Sequence, residues 1–181
     1  MLQLKILGTE LFDERTQKFI QAKGQTLSLE HSLVSISKWE AKYKKPFLSK
    51  DQKTVEETLD YIRFMTITQN VDPNVYSMLT PEHIKQVMDY IDDPMTATTI
   101  AKKEGQGSGR AIVTSEVIYY YMTAYQIPFD PCQKWHLNRL MMLIKVCDEK
   151  NAPKKKMNRR DTAAKYSSLN AARRAKHHSR G

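Results

Sequence analysis

Cys132 and His136 stand four residues apart, which is neighbour spacing on a helix, and a thiol beside an imidazole is the pairing that generates a thiolate nucleophile. Such a dyad needs a third group to orient the imidazole, and none is evident, so the pair reads as a small apolar thiol next to a helix-surface histidine. The five histidines (His31, His83, His136, His177 and His178) and two cysteines show no CxxC, HxxxH or HExxH spacing, which argues against a zinc site. Gly105-Gln-Gly107-Ser-Gly109-Arg110 invites comparison with a phosphate-binding loop, yet neither GxxxxGK[ST] nor GxGxxG is present, and the segment reads as an exposed connection. The acids Glu56, Glu57, Asp60, Glu82, Asp92 and Asp93 fall at helix starts and on helix faces, where dipole and solvation account for them. These residues propose no reaction, no metal and no cofactor, and the expectation is a protein that is not an enzyme.

The elements that would position any site are mainly helical. Leu2, Leu4 and Ile6 alternate with polar neighbours, and residues 1–27 read as a short β-hairpin with a long connection. Two strands alone are marginal in water, so they must lie on the helices or be extended by another chain. In the body, residues 28–150, five helices are expected. The first carries Leu29, Leu33, Ile36 and Tyr43, with Trp39 flanking, and stops at Lys45-Pro46. The second opens at Ser49 with Gln52 as its capping partner and buries Val55, Leu59, Ile62 and Met65. The third opens Thr80-Pro81-Glu82, buries Ile84, Val87, Met88 and Ile91, and ends at Asp92-Asp93-Pro94. The fourth starts at Thr114 or Ser115 and stops before Pro128. The fifth is capped by Asp130, with Pro131 and Gln133 following, and carries both Cys132 and Cys147. Fifteen residues along one helix is about 22 Å, beyond the roughly 7 Å that a disulfide spans, so the thiols are expected reduced. The fold class is therefore mainly α, a single domain with an N-terminal β element.

Charge divides the chain. Eleven of the 29 Lys and Arg residues, against one of the 20 acids, lie between Lys150 and Gly181, which leaves 18 bases and 19 acids in the first 149 residues. A neutral body thus carries a cationic tail, residues 151–181, too poor in large apolar side chains to offset the entropy of ordering it alone. Partial helix is expected from Asp161 to Lys176, within a partly disordered tail. Three readings of its bases stay open: weak non-specific contact with nucleic acid, a solvated extension, and docking on an acidic protein surface. No run approaches the roughly 20 apolar residues of a membrane span. No cleavable leader is evident at the start of the chain, and a cytosolic protein is expected.

Nine methionines and nine tyrosines exceed what a core of this size needs, and such side chains are enriched at partner surfaces. Tyr119-Tyr120-Tyr121 must turn at least one ring outward, because consecutive helical residues point about 100° apart, and that ring either rests with its hydroxyl in water or meets a partner. The expected partner-binding residues are Trp39, Tyr43, Tyr119, Tyr120 and Trp135 in the body, and Lys154, Lys155, Lys156, Arg159, Arg160, Arg173 and Arg174 in the tail.

Leu29-Glu30-His31-Ser32-Leu33, Lys38-Trp39-Glu40, Lys45-Pro46-Phe47-Leu48, Asp93-Pro94-Met95-Thr96-Ala97-Thr98-Thr99, Thr114-Ser115-Glu116-Val117-Ile118-Tyr119-Tyr120 and Trp135-His136-Leu137-Asn138-Arg139-Leu140 together carry a family likeness. Over most of residues 1–155, and in the ending Leu169-Asn170-Ala171-Ala172-Arg173-Arg174, the chain resembles small proteins from the structural gene block of long-tailed bacteriophages, among them tail-assembly chaperones. The resemblance implies a protein that binds tape-measure or tail-tube proteins in the host cytoplasm during assembly, with a homo-oligomer open. Retention in the virion as a structural component is the alternative. It transfers no catalytic residues.

Overall fold

Leu2, Leu4 and Ile6 build β1 (Leu2–Ile6), which runs antiparallel to β4 (Gln25–Leu29) with Leu4 opposite Leu27. Between them β2 (Thr9–Asp13) pairs antiparallel with β3 (Lys18–Ala22), Phe12 opposite Phe19. The two ladders are successive stretches of one ribbon, interrupted where Gly8 meets Gly24. A Cβ on Gly24 would lie 2.6 Å from the Gly8 nitrogen and the Ile6 oxygen, so the backbones can approach this closely only without side chains there. Leu4, Ile6, Leu27 and Leu29 are buried, while the distal stretch leaves Phe12 and Phe19 exposed. The ribbon continues to Leu29, past the expected limit at residue 27, and the Ile67 amide donates to the Ser28 carbonyl at 2.8 Å.

This computed structural model describes residues 1–13, 17–100, 113–152 and 159–177; the glycine-rich segment singled out above lies outside them. The chain divides into two compact units, Met1–Cys147 and Asp148–Gly181.

In the first unit α1 (Leu33–Tyr43) starts at Ser32, whose hydroxyl accepts from the Ser35 amide, and ends at Lys44 in the left-handed region. Leu29 belongs to β4 and not to this helix. α2 (Val55–Met65) opens at Thr54 and not at Ser49: Thr54 and Glu57 form a reciprocal capping box. Ser49/Gln52 has the same spacing, but of the two capping partners it is Glu57 that carries a negative charge, and it also pairs with Lys45 at 2.8 Å. A 3-10 helix (Pro73–Met78) leads into α3 (Pro81–Asp92), capped at Thr80 with Pro81 in the first position, as expected.

α4 (Ser115–Ala124) also begins where expected. Its cap residue, Thr114, makes no side-chain cap bond; the Glu40 carboxylate of α1 accepts from the Ser115 amide at 2.8 Å and its hydroxyl at 2.5 Å. The expected fifth helix is instead two, α5 (Phe129–Cys132) and α6 (Leu137–Asn151). Asp130 takes extended angles and pairs with Lys134 at 2.7 Å instead of capping. His136 bridges Ser32, and the Leu137 amide donates to the His31 carbonyl at 2.7 Å, so tertiary pairing interrupts the helix. Cys132 and Cys147 consequently sit on different helices as free thiols, and His136 is no helical neighbour of Cys132.

In the second unit α7 (Arg159–His177) is a 19-residue helix, longer than the partial one expected, built from good helix formers. The described residues thus hold eight helical segments where five were expected: the 3-10 helix, the divided fifth helix and α7 make the difference. Mainly α with an N-terminal β ribbon is the architecture.

Candidate functional site

The core around α1 and α2 leaves one face of α2 uncovered. Glu57, Asp60, Tyr61, Ile62 and Met65 turn inward, so Val55 and Leu59, about a turn apart, face the gap toward the 3-10 helix and α3. α3 buries Val87 and Tyr90, which turns Ile84 and Met88 to the same gap from the other side. Together with Tyr76, Leu79 and Pro81 these residues line a cleft of about 570 Å³. Val55 is 78 % exposed and Met88 40 % exposed, so the lining is apolar yet open to solvent. A second hollow of about 340 Å³, lined by Phe47, Gln52, Tyr61 and Ile91, shares Lys53, Thr58 and Met88 with the first. The two form one groove along α2 and α3.

Lys53 is the only charged residue in the lining of the larger cleft among the described residues. Its ammonium donates to the Phe47 carbonyl at 2.8 Å and lies 4.3 Å from the Phe47 ring centroid, and burial pushes its pKa below the usual lysine range. The walls are braced from behind. Tyr76 donates to the Thr66 hydroxyl at 3.1 Å and lies under the Arg63 guanidinium. Asp60 joins α2 to α1: burial alone would raise its pKa, but hydrogen bonds from Lys42, Tyr43 and Arg63 outweigh burial and hold it at about 2. The groove is an open, largely apolar channel between α2 and α3.

The chemistry-bearing side chains gather elsewhere. His31 Nδ1 and the Tyr61 hydroxyl are 2.5 Å apart, the His31 and His136 rings are 5.1 Å apart, and His136 Nε2 meets the Tyr90 carbonyl at 2.9 Å. The Tyr90 hydroxyl donates to Glu30 at 2.6 Å. Burial first, and then the neighbouring His136, lowers the His31 pKa to about 3. His31 and His136 are both buried, so this network joins the β4–α1 connection, α2, α3 and the start of α6 as core polarity. Among the described residues no group of three or more His, Cys, Asp or Glu is placed to hold a metal ion. Among them, too, no helix is long and apolar enough to cross a membrane.

The residues expected to bind a partner do not come together. Trp39 is 2 % exposed, donates to the Glu57 carbonyl at 2.9 Å and stacks among Tyr43 and Phe47, so it is a core residue and not a contact surface. Tyr43 is half-buried and donates to Asp60 at 2.7 Å. Tyr119 donates to Gln133 at 3.1 Å and meets the Phe129 ring. Trp135 is half-buried with the Arg139 guanidinium 4.4 Å from its centroid. Tyr120 alone of the five is largely open, at 67 %. Arg173 and Arg174 are exposed on α7, Arg159 and Arg160 begin that helix, and Lys154, Lys155 and Lys156 lie outside the described residues. Val55, Leu59, Ile84 and Met88, expected on buried helix faces, instead line the open groove. No protein-family model, curated protein or solved structure matches the chain.

Proposed function

We propose that this protein is a non-enzymatic assembly chaperone that holds an amphipathic helical segment of its client in the groove between α2 and α3. The observation that carries this reading is the open apolar lining, Val55, Leu59, Ile84 and Met88 presented from two helices on a fixed framework. Combined with the resemblance to phage tail-assembly chaperones, it makes the tape-measure or tail-tube protein the client and the host cytoplasm the place of action. A tape-measure protein is long, helical and prone to aggregate, and a groove that covers its apolar stripe one segment at a time keeps it in solution.

Co-expression with the tape-measure protein is the test. Soluble tape-measure protein that co-purifies with this chain, together with absence of the chain from purified particles by mass spectrometry, is the expected result. A fixed copy number in mature particles would instead assign it to the virion structure. A second reading, non-specific nucleic-acid binding, is favoured by the exposed Arg173, Arg174 and Lys176 on α7. It requires DNA retention that falls steeply with salt.

A further inference from the structure

The distal ribbon β2–β3 has two open edges: among the described residues each of its strands pairs only with the other. An edge strand presents a row of unpaired amides and carbonyls, and proteins that stay monomeric blunt such edges with short strands, charged side chains, proline or bulges. The charges on these two edges are opposite in sign, so they repel like edges and not unlike ones. Neither strand contains proline, and their pairing is unbroken from Thr9–Ala22 to Asp13–Lys18. One face of the ribbon carries Phe12 and Phe19, ring centroids 5.2 Å apart and 53 % and 69 % exposed. The other face turns Leu11 toward the core. The two edges also differ in charge: β2 carries acids and no base, whereas β3 with the adjoining Lys23 carries Lys18 and Lys23 and no acid.

The geometry points to self-association of this chain through its hairpin, the β2 edge of one copy pairing antiparallel with the β3 edge of the next. That pairing continues the alternation already present within the ribbon, satisfies both open edges, and brings the acidic strand of one copy beside the basic strand of its neighbour. The Phe12/Phe19 pairs of successive copies become one aromatic stripe, the cross-strand contact that stabilises sheets. The occupant of each edge is a second copy because the complementary charge lies on the same hairpin. Pairing unlike edges is head-to-tail, so the assembly closes as a ring or extends as a filament. The groove between α2 and α3 plays no part in it.

Sedimentation equilibrium on the full chain tests this. The wild-type protein is expected to self-associate with rising concentration. Lys18→Glu/Lys23→Glu, which makes both edges acidic, is expected to stay monomeric, and so is Phe12→Ser/Phe19→Ser. Glu10→Lys, which weakens the acidic edge, should associate less than wild type, and mixing it in equal amounts with Lys18→Glu/Lys23→Glu should regenerate the assembly. Circular dichroism on each variant checks that the helices are retained. A wild-type chain that is monomeric throughout, variants that associate as the wild type does, or a mixture that stays monomeric would each overturn the inference.

Discussion

Glu40 is a buried carboxylate whose two oxygens are fully engaged: one accepts the Phe47 amide at 2.8 Å, the other the Ser115 amide and hydroxyl. It stands in for the missing Thr114 cap, placing negative charge at the start of α4 from a different helix. Glu40→Gln keeps the shape but turns one acceptor into a donor facing donors. The expected cost is about 1–3 kcal/mol, read as a lower urea midpoint with unchanged slope. Tyr120→Ala, on the open face of α4, should change stability by no more than about 0.5 kcal/mol. His31 gives the fold a pH dependence. In the folded chain it stays neutral down to about pH 3, whereas the unfolded chain takes up a proton below its ordinary 6.5. The unfolded state therefore binds more protons in that window, and stability falls as pH drops through it. Near pH 5 the loss from this residue is about 2 kcal/mol, at about 1.4 kcal/mol per pH unit. Urea unfolding of the wild type and of His31→Gln at neutral pH and near pH 5 should show a shallower pH dependence for the variant.

At the scale of elements, the ribbon is pinched where Gly8 and Gly24 face each other, and that pinch separates a buried ladder from an exposed one. Gly24→Ala forces a Cβ into backbone at 2.6 Å, so the strands must part. The expected result is faster amide exchange throughout β2 and β3, with protection in β1 and β4 retained. The start of α3 is readable because its cap signal is local: Thr80-Pro81 acts within one turn. α4 begins at the expected residue although its cap is supplied by Glu40 on α1, 75 residues away. The start of α2 was misplaced because Ser49/Gln52 and Thr54/Glu57 satisfy the same pattern, and only the folded chain brings Lys45 to Glu57. The fifth helix was read as continuous because the pairing of Ser32 with His136, a contact across more than a hundred residues, leaves no trace in local periodicity. The groove was half legible for the same reason. Periodicity marks Val55, Leu59, Ile84 and Met88 as apolar, but whether another element covers a stripe is decided by the fold. Trp39 shows the converse, a large aromatic that the packing of α1 on α2 takes wholly into the core.

The whole molecule joins a nearly neutral body to a segment that holds more than the entire net charge of +9. Any DNA retention should therefore vanish when residues 150–181 are removed, and fall steeply with salt before that. The proposed client groove lies in the body, so client binding should survive the same deletion. The proposed client site is the groove between α2 and α3, and Val55 and Met88 allow it to be tested apart from stability because both are exposed. The decisive measurement is the affinity of the full chain for the tape-measure protein, wild type against Val55→Asp/Met88→Asp, with unfolding curves run alongside. The expected result is a loss of affinity of about tenfold or more, equivalent to at least about 1.4 kcal/mol, at nearly unchanged stability. Equal affinity in a folded double variant would contradict the assignment of the groove.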